Sequence, residues 1–289
     1  MNTPKSWLQA SRPKTLIFIV SPVFIGTAMA LTTGTFSFIT FLCTLLAGLC
    51  IQIGTNFAND YFDFLKGADT ADRKGPLRVM QAGLVSATAM KRAIAFILTL
   101  AALSGSYLVW QGGWIFGALL ILSIALSILY TGGPYPLAYL GLGECFVFVF
   151  YGPIAVLGTY YLQTSQFSFE VLLASLAPGL LATIPIALNN LRDIDEDRRA
   201  DKKTLAVRFG LRFAKSSIAI AIILGAITPL LLVPFRPFVL LSVLTLLPAL
   251  TLVRDLFRSE GSAEYGALFK KTPLLIFTFT FLFCVAWML

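Results

Sequence analysis

Histidine is missing altogether from this chain of 289 residues. That absence excludes serine and cysteine hydrolase triads, His-ligated zinc or haem, and imidazole proton relays. Charge is also scarce, with Asp, Glu, Lys and Arg making up 12% of residues, about half the share of a soluble domain. With 57% hydrophobic residues and a mean hydropathy of +0.84, neither a water-soluble globule nor a disordered chain fits. Cysteine is limited to Cys43, Cys50, Cys145 and Cys284, all inside apolar stretches. They read as small hydrophobes, not as a disulfide framework or a metal cluster. The alternating ten-residue pattern of a transmembrane β-barrel is lacking too, because apolar residues run in unbroken blocks.

Nine such blocks are present, at about 15–32, 36–57, 91–109, 114–131, 145–162, 169–190, 216–234, 237–253 and 273–289. Each is long enough for a helical span. The first follows Lys5, Arg12 and Lys14 and ends near Ala28-Met29-Ala30, an outline shared with signal peptides. Its length and the eight blocks after it favour an uncleaved span. Of the 22 Lys and Arg, all but Arg236 fall before the first block or after the second, sixth and eighth. Cytoplasmic segments retain positive charge, so this distribution predicts a cytoplasmic N-terminus and an external C-terminus. It also explains the net charge of +8 as a topology signal, so nucleic acid is not an expected partner. The expected fold is an all-α integral membrane protein in the lipid bilayer, one domain over 1–289. Nine transmembrane helices would surround a central cavity, with cytoplasmic cap loops at about 58–90 and 191–215.

The second and sixth blocks run into similar polar sequences. One reads Asn56-Phe-Ala-Asn59-Asp60-Tyr-Phe-Asp63, the other Asn189-Asn190-Leu-Arg192-Asp193-Ile-Asp195-Glu196-Asp197. Lys, Leu and Gly-Leu elements follow each, which suggests two related four-helix halves plus a ninth helix. Asn56, Asp60 and Asp63 are spaced i, i+4, i+7; Asn189, Asp193 and Asp197 are spaced i, i+4, i+8. If the helices continue beyond the bilayer, each set shares a face. A carboxylate at the bilayer centre costs ~2.5–3.5 kcal/mol, less near a span end, and two such clusters on one side call for a compensating cation. Oxygen donors without Cys or His suit a hard ion, Mg²⁺ or Ca²⁺. The interleaved bases Lys66, Arg73, Lys74, Arg78, Arg192, Arg198, Lys202 and Lys203, together with Mg²⁺, are what a diphosphate clamp needs. A membrane enzyme acting on a diphosphate with a lipid tail is the economical reading: an allylic cation forms in an aromatic-lined, water-free cavity.

These junctions resemble the two aspartate motifs of the UbiA-type intramembrane prenyltransferases. Arg12-Pro13-Lys14-Thr15-Leu16, Asn59 to Asp63 with Lys66-Gly67-Ala68-Asp69, Gly75-Pro76-Leu77-Arg78, Tyr130-Thr131-Gly132-Gly133-Pro134, Gly141-Leu142-Gly143-Glu144, and Arg192-Asp193 through Thr204-Leu205-Ala206-Val207-Arg208 are similar to the branch that prenylates 1,4-dihydroxy-2-naphthoate. The resemblance implies transfer from a polyprenyl diphosphate to a dihydroxynaphthoate acceptor, on the cytoplasmic face of a bacterial inner membrane. It implies that Asp60, Asp63, Asp193 and Asp197 are catalytic, with Asn59, Asp63, Asp193 and Asp197 holding Mg²⁺. Asn56, Asn59, Asp69, Lys74, Tyr130, Asn190, Arg192 and Lys203 become candidate substrate contacts. The family places an acid where Gly67 stands, so Asp69 is expected to substitute; Asp201 stands where the branch has Gly and is expected to be a loop residue. The Lys-Arg pair that ubiquinone-pathway relatives carry after the fourth span is absent, which argues against 4-hydroxybenzoate.

Arg78 and Gln81 are candidates for the acceptor's carboxylate and hydroxyl, since a fork of donors suits a carboxylate. Glu144 would orient a cation or an acceptor hydroxyl, or serve a helix start. Two alternatives stay open. One is a related transferase with another aromatic acceptor. The other is a cation carrier, although a carrier site is expected near mid-membrane on broken helices and these acids gather at one end.

Overall fold

The computed structural model describes residues 2–67, 75 and 78–289. Among the described residues there are helices and connections but no strands. The helices are α1 (Pro4–Ser11), α2 (Ile17–Leu31), α3 (Phe38–Leu65), α4 (Ala87–Gly112), α5 (Trp114–Leu129), α6 (Gly143–Val149), α7 (Ala155–Thr164), α8 (Phe169–Arg192), α9 (Ile194–Arg199), α10 (Leu205–Ile227), α11 (Leu246–Arg258) and α12 (Ser262–Met288). Several begin where a hydroxyl accepts an otherwise unsatisfied backbone N–H. Thr3 caps α1, Ser37 caps α3, Ser86 caps α4 and Thr204 caps α10.

Seven helical segments among the described residues are long and apolar enough to cross a membrane. An eighth arises if α1 and α2, bent by 51° to each other, are one broken span, and α5 is shorter at 16 residues. Every apolar block of the sequence thus lies on helix, but not always on one regular helix. Arg12, in the left-handed conformation at φ 50°, separates α1 from α2. A π turn at Phe150–Ile154 joins α6 to α7. There Pro153 has no N–H to give the ladder, and a widened turn absorbs the defect. The segment after α10 and the start of the α11 segment are 3₁₀ helix, Thr228–Leu232 and Pro237–Thr245.

The core is built around α8, which packs against α2, α6, α7, α10 and α12. Lipid provides little hydrophobic drive between helices, so close approach of backbones carries the association. Gly152 and Gly179 meet at one crossing: a Cβ on Gly152 would lie 2.8 Å from the Ser175 carbonyl oxygen and 3.0 Å from the Gly179 Cα. The far end of the bundle is marked by Trp287 Nε1 donating to Thr32 Oγ1 at 3.2 Å and by Arg236 stacked over the Trp287 ring at 5.9 Å. A cavity of about 710 Å³ runs between the helices. Along α3 its wall extends from Thr44 to Asp63, about 28 Å at 1.5 Å per residue, close to the thickness of a bilayer's hydrocarbon core. At its deep end Ala47, Leu108 and Leu162 form a buried cluster with Cys43, Tyr107 and Phe116 packed against it.

Candidate functional site

The polar end of the cavity is made where α3 and α8 run past their apolar segments. Helix α3 continues to Leu65, so Asn56, Asn59, Asp60 and Asp63 are carried on regular helix into the cavity wall. Helix α8 ends at Arg192, and Asp193 departs from helical geometry at φ −97°, ψ 14°. The single continuous face expected through Asp197 is therefore broken at Asp193. Backbone bonds still bridge the break, from Asp193 N–H to Asn189 O at 2.9 Å and from Asp197 N–H to Asp193 O at 2.8 Å. Asn189, Asp193 and Asp197 all line the cavity that Asp63 lines.

Most of these acids are held by cations. Asp60 accepts from Arg12 Nη2 at 2.6 Å and from Arg78 Nη1, while Arg78 Nη2 reaches Asp63 Oδ2 at 3.1 Å. Arg78, expected at the acceptor's carboxylate, thus forks across two carboxylates of the protein itself. Asp193 is gripped bidentately by Arg192, with Nε and Nη2 each 2.6 Å from a carboxylate oxygen. Arg192, expected on phosphate, is engaged here with its neighbour, and Ser262 Oγ donates to its carbonyl at 3.0 Å. Lys202 Nζ lies 3.5 Å from Asp197.

The asparagines are fastened as well. Asn56 Nδ2 donates to Ser11 O at 2.9 Å and to Thr15 Oγ1 at 3.1 Å, tying the α1–α2 elbow onto α3. Thr131 Oγ1 donates to Asn59 Oδ1. Asn190 Nδ2 donates to Glu144 Oε1 at 2.8 Å. Tyr130 and Asn190 line the cavity; Gln81 and Lys203 are not among its lining residues. The lining lysine is Lys202, whereas Lys203 contributes backbone: its N–H donates to Tyr139 O at 2.8 Å and its carbonyl accepts from Arg208 Nε at 2.9 Å. Asp69 and Lys74 lie outside the described residues. Asp201 is exposed with φ 53°, a left-handed loop position that Asp tolerates and Gly suits.

Burial pushes the Asp197 carboxyl up to about 6, against the pull of Lys202 and with help from Asp193 and Asp63. Burial works against the Lys202 ammonium, but Asp63 and Asp197 outweigh it and hold the proton on more firmly than usual. Lys66 is lowered by burial despite Asp63. Both ammonium groups sit over the Tyr139 ring, at 4.5 Å for Lys66 and 4.9 Å for Lys202, and Lys66 Nζ donates to Thr131 O at 2.6 Å. Deeper in the cavity the Tyr151 hydroxyl, on the π turn, donates to Gln52 Oε1.

One acid oxygen stands apart. Asp63 Oδ1 is buried and has no hydrogen-bond partner, an expense that needs a ligand to offset it. Among the described residues no three His, Cys, Asp or Glu side chains come close enough to cage a bare ion. The donors fit Mg²⁺ in its usual form, bound through one or two carboxylates with the remaining positions taken by water and substrate phosphate. Arg12, Lys202, Thr131 and Tyr139 were given no individual role from sequence. Arg12 was visible as a base before the first block and within the Arg12-Pro13-Lys14 motif, Lys202 as a base near a junction, and nothing in the spacing singled out Tyr139.

The model of the UbiA prenyltransferase family matches residues 19–283. A Haemophilus influenzae protein described as 1,4-dihydroxy-2-naphthoate octaprenyltransferase is 41% identical over 215 residues, covering 71% of this chain and 70% of the relative. An Escherichia coli protein of the same description is 42% identical over 215 residues, covering 71% of this chain and 69% of the relative. Among solved structures, a UbiA homologue from Archaeoglobus fulgidus bound to GPP and Mg²⁺ superposes with a TM-score of 0.62 at 15% identity, over 96% of this chain and 99% of the other.

Proposed function

Because the chain belongs to the UbiA prenyltransferase family, we propose that it transfers a polyprenyl group from a polyprenyl diphosphate to 1,4-dihydroxy-2-naphthoate. Diphosphate and carbon dioxide are released and a demethylmenaquinol is formed. The observation that carries this reading is the cavity itself. One end joins Asp63, with its unpartnered oxygen, to Asp193 and Asp197 among five cations, and the cavity as a whole, mostly apolar beyond that end, is nearly as deep as the bilayer core. Relatives described as naphthoate prenyltransferases support the acceptor.

The diphosphate lies at the acidic end, with its tail down the shaft. Asn59, Asp63, Asp193 and Asp197, with Asp60 beside them, are the residues to hold Mg²⁺, which when bound supplies positive charge at the diphosphate oxygens. Lys202 and Arg78 add fixed positive charge. The bond between C1 and the diphosphate oxygen breaks, its electron pair leaving with diphosphate. Phe146, Phe150 and Tyr151 on the cavity wall exclude water and face the allylic cation with electron-rich rings. The acceptor's ring carbon that bears the carboxylate attacks C1. Its bond to the carboxylate then breaks, carbon dioxide leaves, and the electron pair restores the aromatic ring, so no proton need be found.

The charge distribution supports nine spans, a cytoplasmic N-terminus and a working face on the cytoplasmic side; the repeated acidic junctions support two related halves, and the bacterial relatives support an inner membrane. The assay is incubation of membranes carrying the protein with dihydroxynaphthoate, a labelled polyprenyl diphosphate and MgCl₂, with mass spectrometry of the lipid product. EDTA abolishes turnover and Mg²⁺ restores it; Asp63→Ala and Asp193→Ala abolish it while the protein stays in the membrane at wild-type level. Full activity in either variant or in EDTA refutes the mechanism, and prenylation of homogentisate in place of dihydroxynaphthoate reassigns the acceptor.

A further inference from the structure

Glu144 is the one acid on α6, and the reaction as described does not use it. Its Oε1 accepts from Asn190 Nδ2 at 2.8 Å, and its Oε2 is buried without a hydrogen-bond partner. Among the described residues it has no ion pair, which removes the role of orienting a cation. It does not itself line the cavity, whereas Asn190 and Tyr130 do. The Tyr130 hydroxyl rests against Gly143, where a Cβ would lie 2.8 Å from it. The absence of a side chain at Gly143 therefore leaves room for that hydroxyl on the same stretch of wall.

Glu144 Oε1 is the acceptor in this bond, and an amide presents a donor at one end and an acceptor at the other. With its nitrogen committed to Glu144, Asn190 has Oδ1 left for the cavity. If the amide turned over, two acceptors would face each other. We propose that Glu144 is a positioning residue: it locks the Asn190 amide so that Oδ1 receives a ring hydroxyl of the aromatic acceptor. This rests on the prenyl-transfer reading of the site. It accounts for a half-buried acid beside the diphosphate end that touches neither the diphosphate clamp nor a base. It also places a hydroxyl-specific contact three residues before Asp193, where the ring must lie to reach C1.

The test compares wild type, Glu144→Gln and Glu144→Asp, with KM measured separately for the acceptor and for the polyprenyl diphosphate. Glutamine offers either a donor or an acceptor and so releases the lock. Glu144→Gln is expected to raise the acceptor KM about tenfold with the diphosphate KM unchanged, and Glu144→Asp to recover most of the loss. The two monomethyl ethers of dihydroxynaphthoate form a second arm. In wild type one of them is the poorer acceptor by about tenfold, and in Glu144→Gln that difference disappears. An unchanged acceptor KM in Glu144→Gln, or an equal rise in both KM values, overturns the proposal. So does a wild-type enzyme indifferent to both ethers, a measurement that stands even if the variants fail to fold. A wild type that transfers nothing to dihydroxynaphthoate overturns the proposed function and this inference together, while an active wild type with an unaltered Glu144→Gln overturns the inference alone.

Discussion

Arg78 offers the sharpest separation between two roles for one residue. It is 8% exposed and its guanidinium joins Asp60 to Asp63. Removing one partner of a buried ion pair costs about 3–5 kcal/mol, because the other charge is left without compensation. In Arg78→Ala the cost falls at the low end, about 3 kcal/mol, since Arg12 stays on Asp60 at 2.6 Å. Arg78→Lys keeps the charge but cannot fork to two carboxylates, so it loses one hydrogen bond, about 1 kcal/mol. The assay is unfolding of the purified proteins in mixed micelles with rising SDS, followed by tryptophan fluorescence, alongside KM for both substrates. The brace predicts stability in the order wild type, Arg78→Lys, Arg78→Ala, with both KM values raised in Arg78→Ala. If Arg78→Ala unfolds within about 1 kcal/mol of wild type and only the acceptor KM rises, Arg78 is an acceptor-carboxylate ligand and the bracing role is refuted.

Lys202 and Lys203 are adjacent, yet only Lys202 lines the cavity. Lys202→Gln is expected to raise the polyprenyl diphosphate KM about tenfold and Lys203→Gln to leave it near wild type; steady-state kinetics on the two variants checks the order, and the reverse order contradicts it. At Gly141, φ is 71° and an added Cβ would collide with the Lys203 carbonyl oxygen. Gly141→Ala should therefore lower stability by about 1–3 kcal/mol and, by pushing on the segment that carries Lys202, weaken diphosphate binding; SDS unfolding and KM measured together test both effects.

Much of the fold was legible before any coordinates. Membrane spans are recorded in hydropathy, which is additive along the chain, so each apolar block falls on helix. The shared end of the two acidic junctions was also readable, because both follow a span on the side rich in Lys and Arg. Regularity within a span was harder to see. The elbow at Arg12, the π turn at Pro153 and the break at Asp193 each follow from a local backbone choice that a tertiary contact stabilises. For the Arg12 elbow that contact is Asn56 gripping Ser11 and Thr15.

Which base meets which acid was not legible. The sequence shows eight interleaved cations and six acids at the two junctions, and any pairing satisfies a one-dimensional count. The partners that emerge are separated by 48 residues for Arg12 and Asp60, 72 for Thr131 and Asn59, and 46 for Asn190 and Glu144. By itself the sequence determined that this chain lives in a bilayer, which end carries its charge, and that hard oxygen donors gather there. Those properties depend on residue types and their order alone. Only the tertiary structure decided that Arg78 and Arg192 brace the protein's own carboxylates, that Lys202 and not its neighbour faces the cavity, and that Asp63 keeps an oxygen free. Hydrogen bonds act over about 3 Å, and distances on that scale between remote segments exist only once the helices have packed.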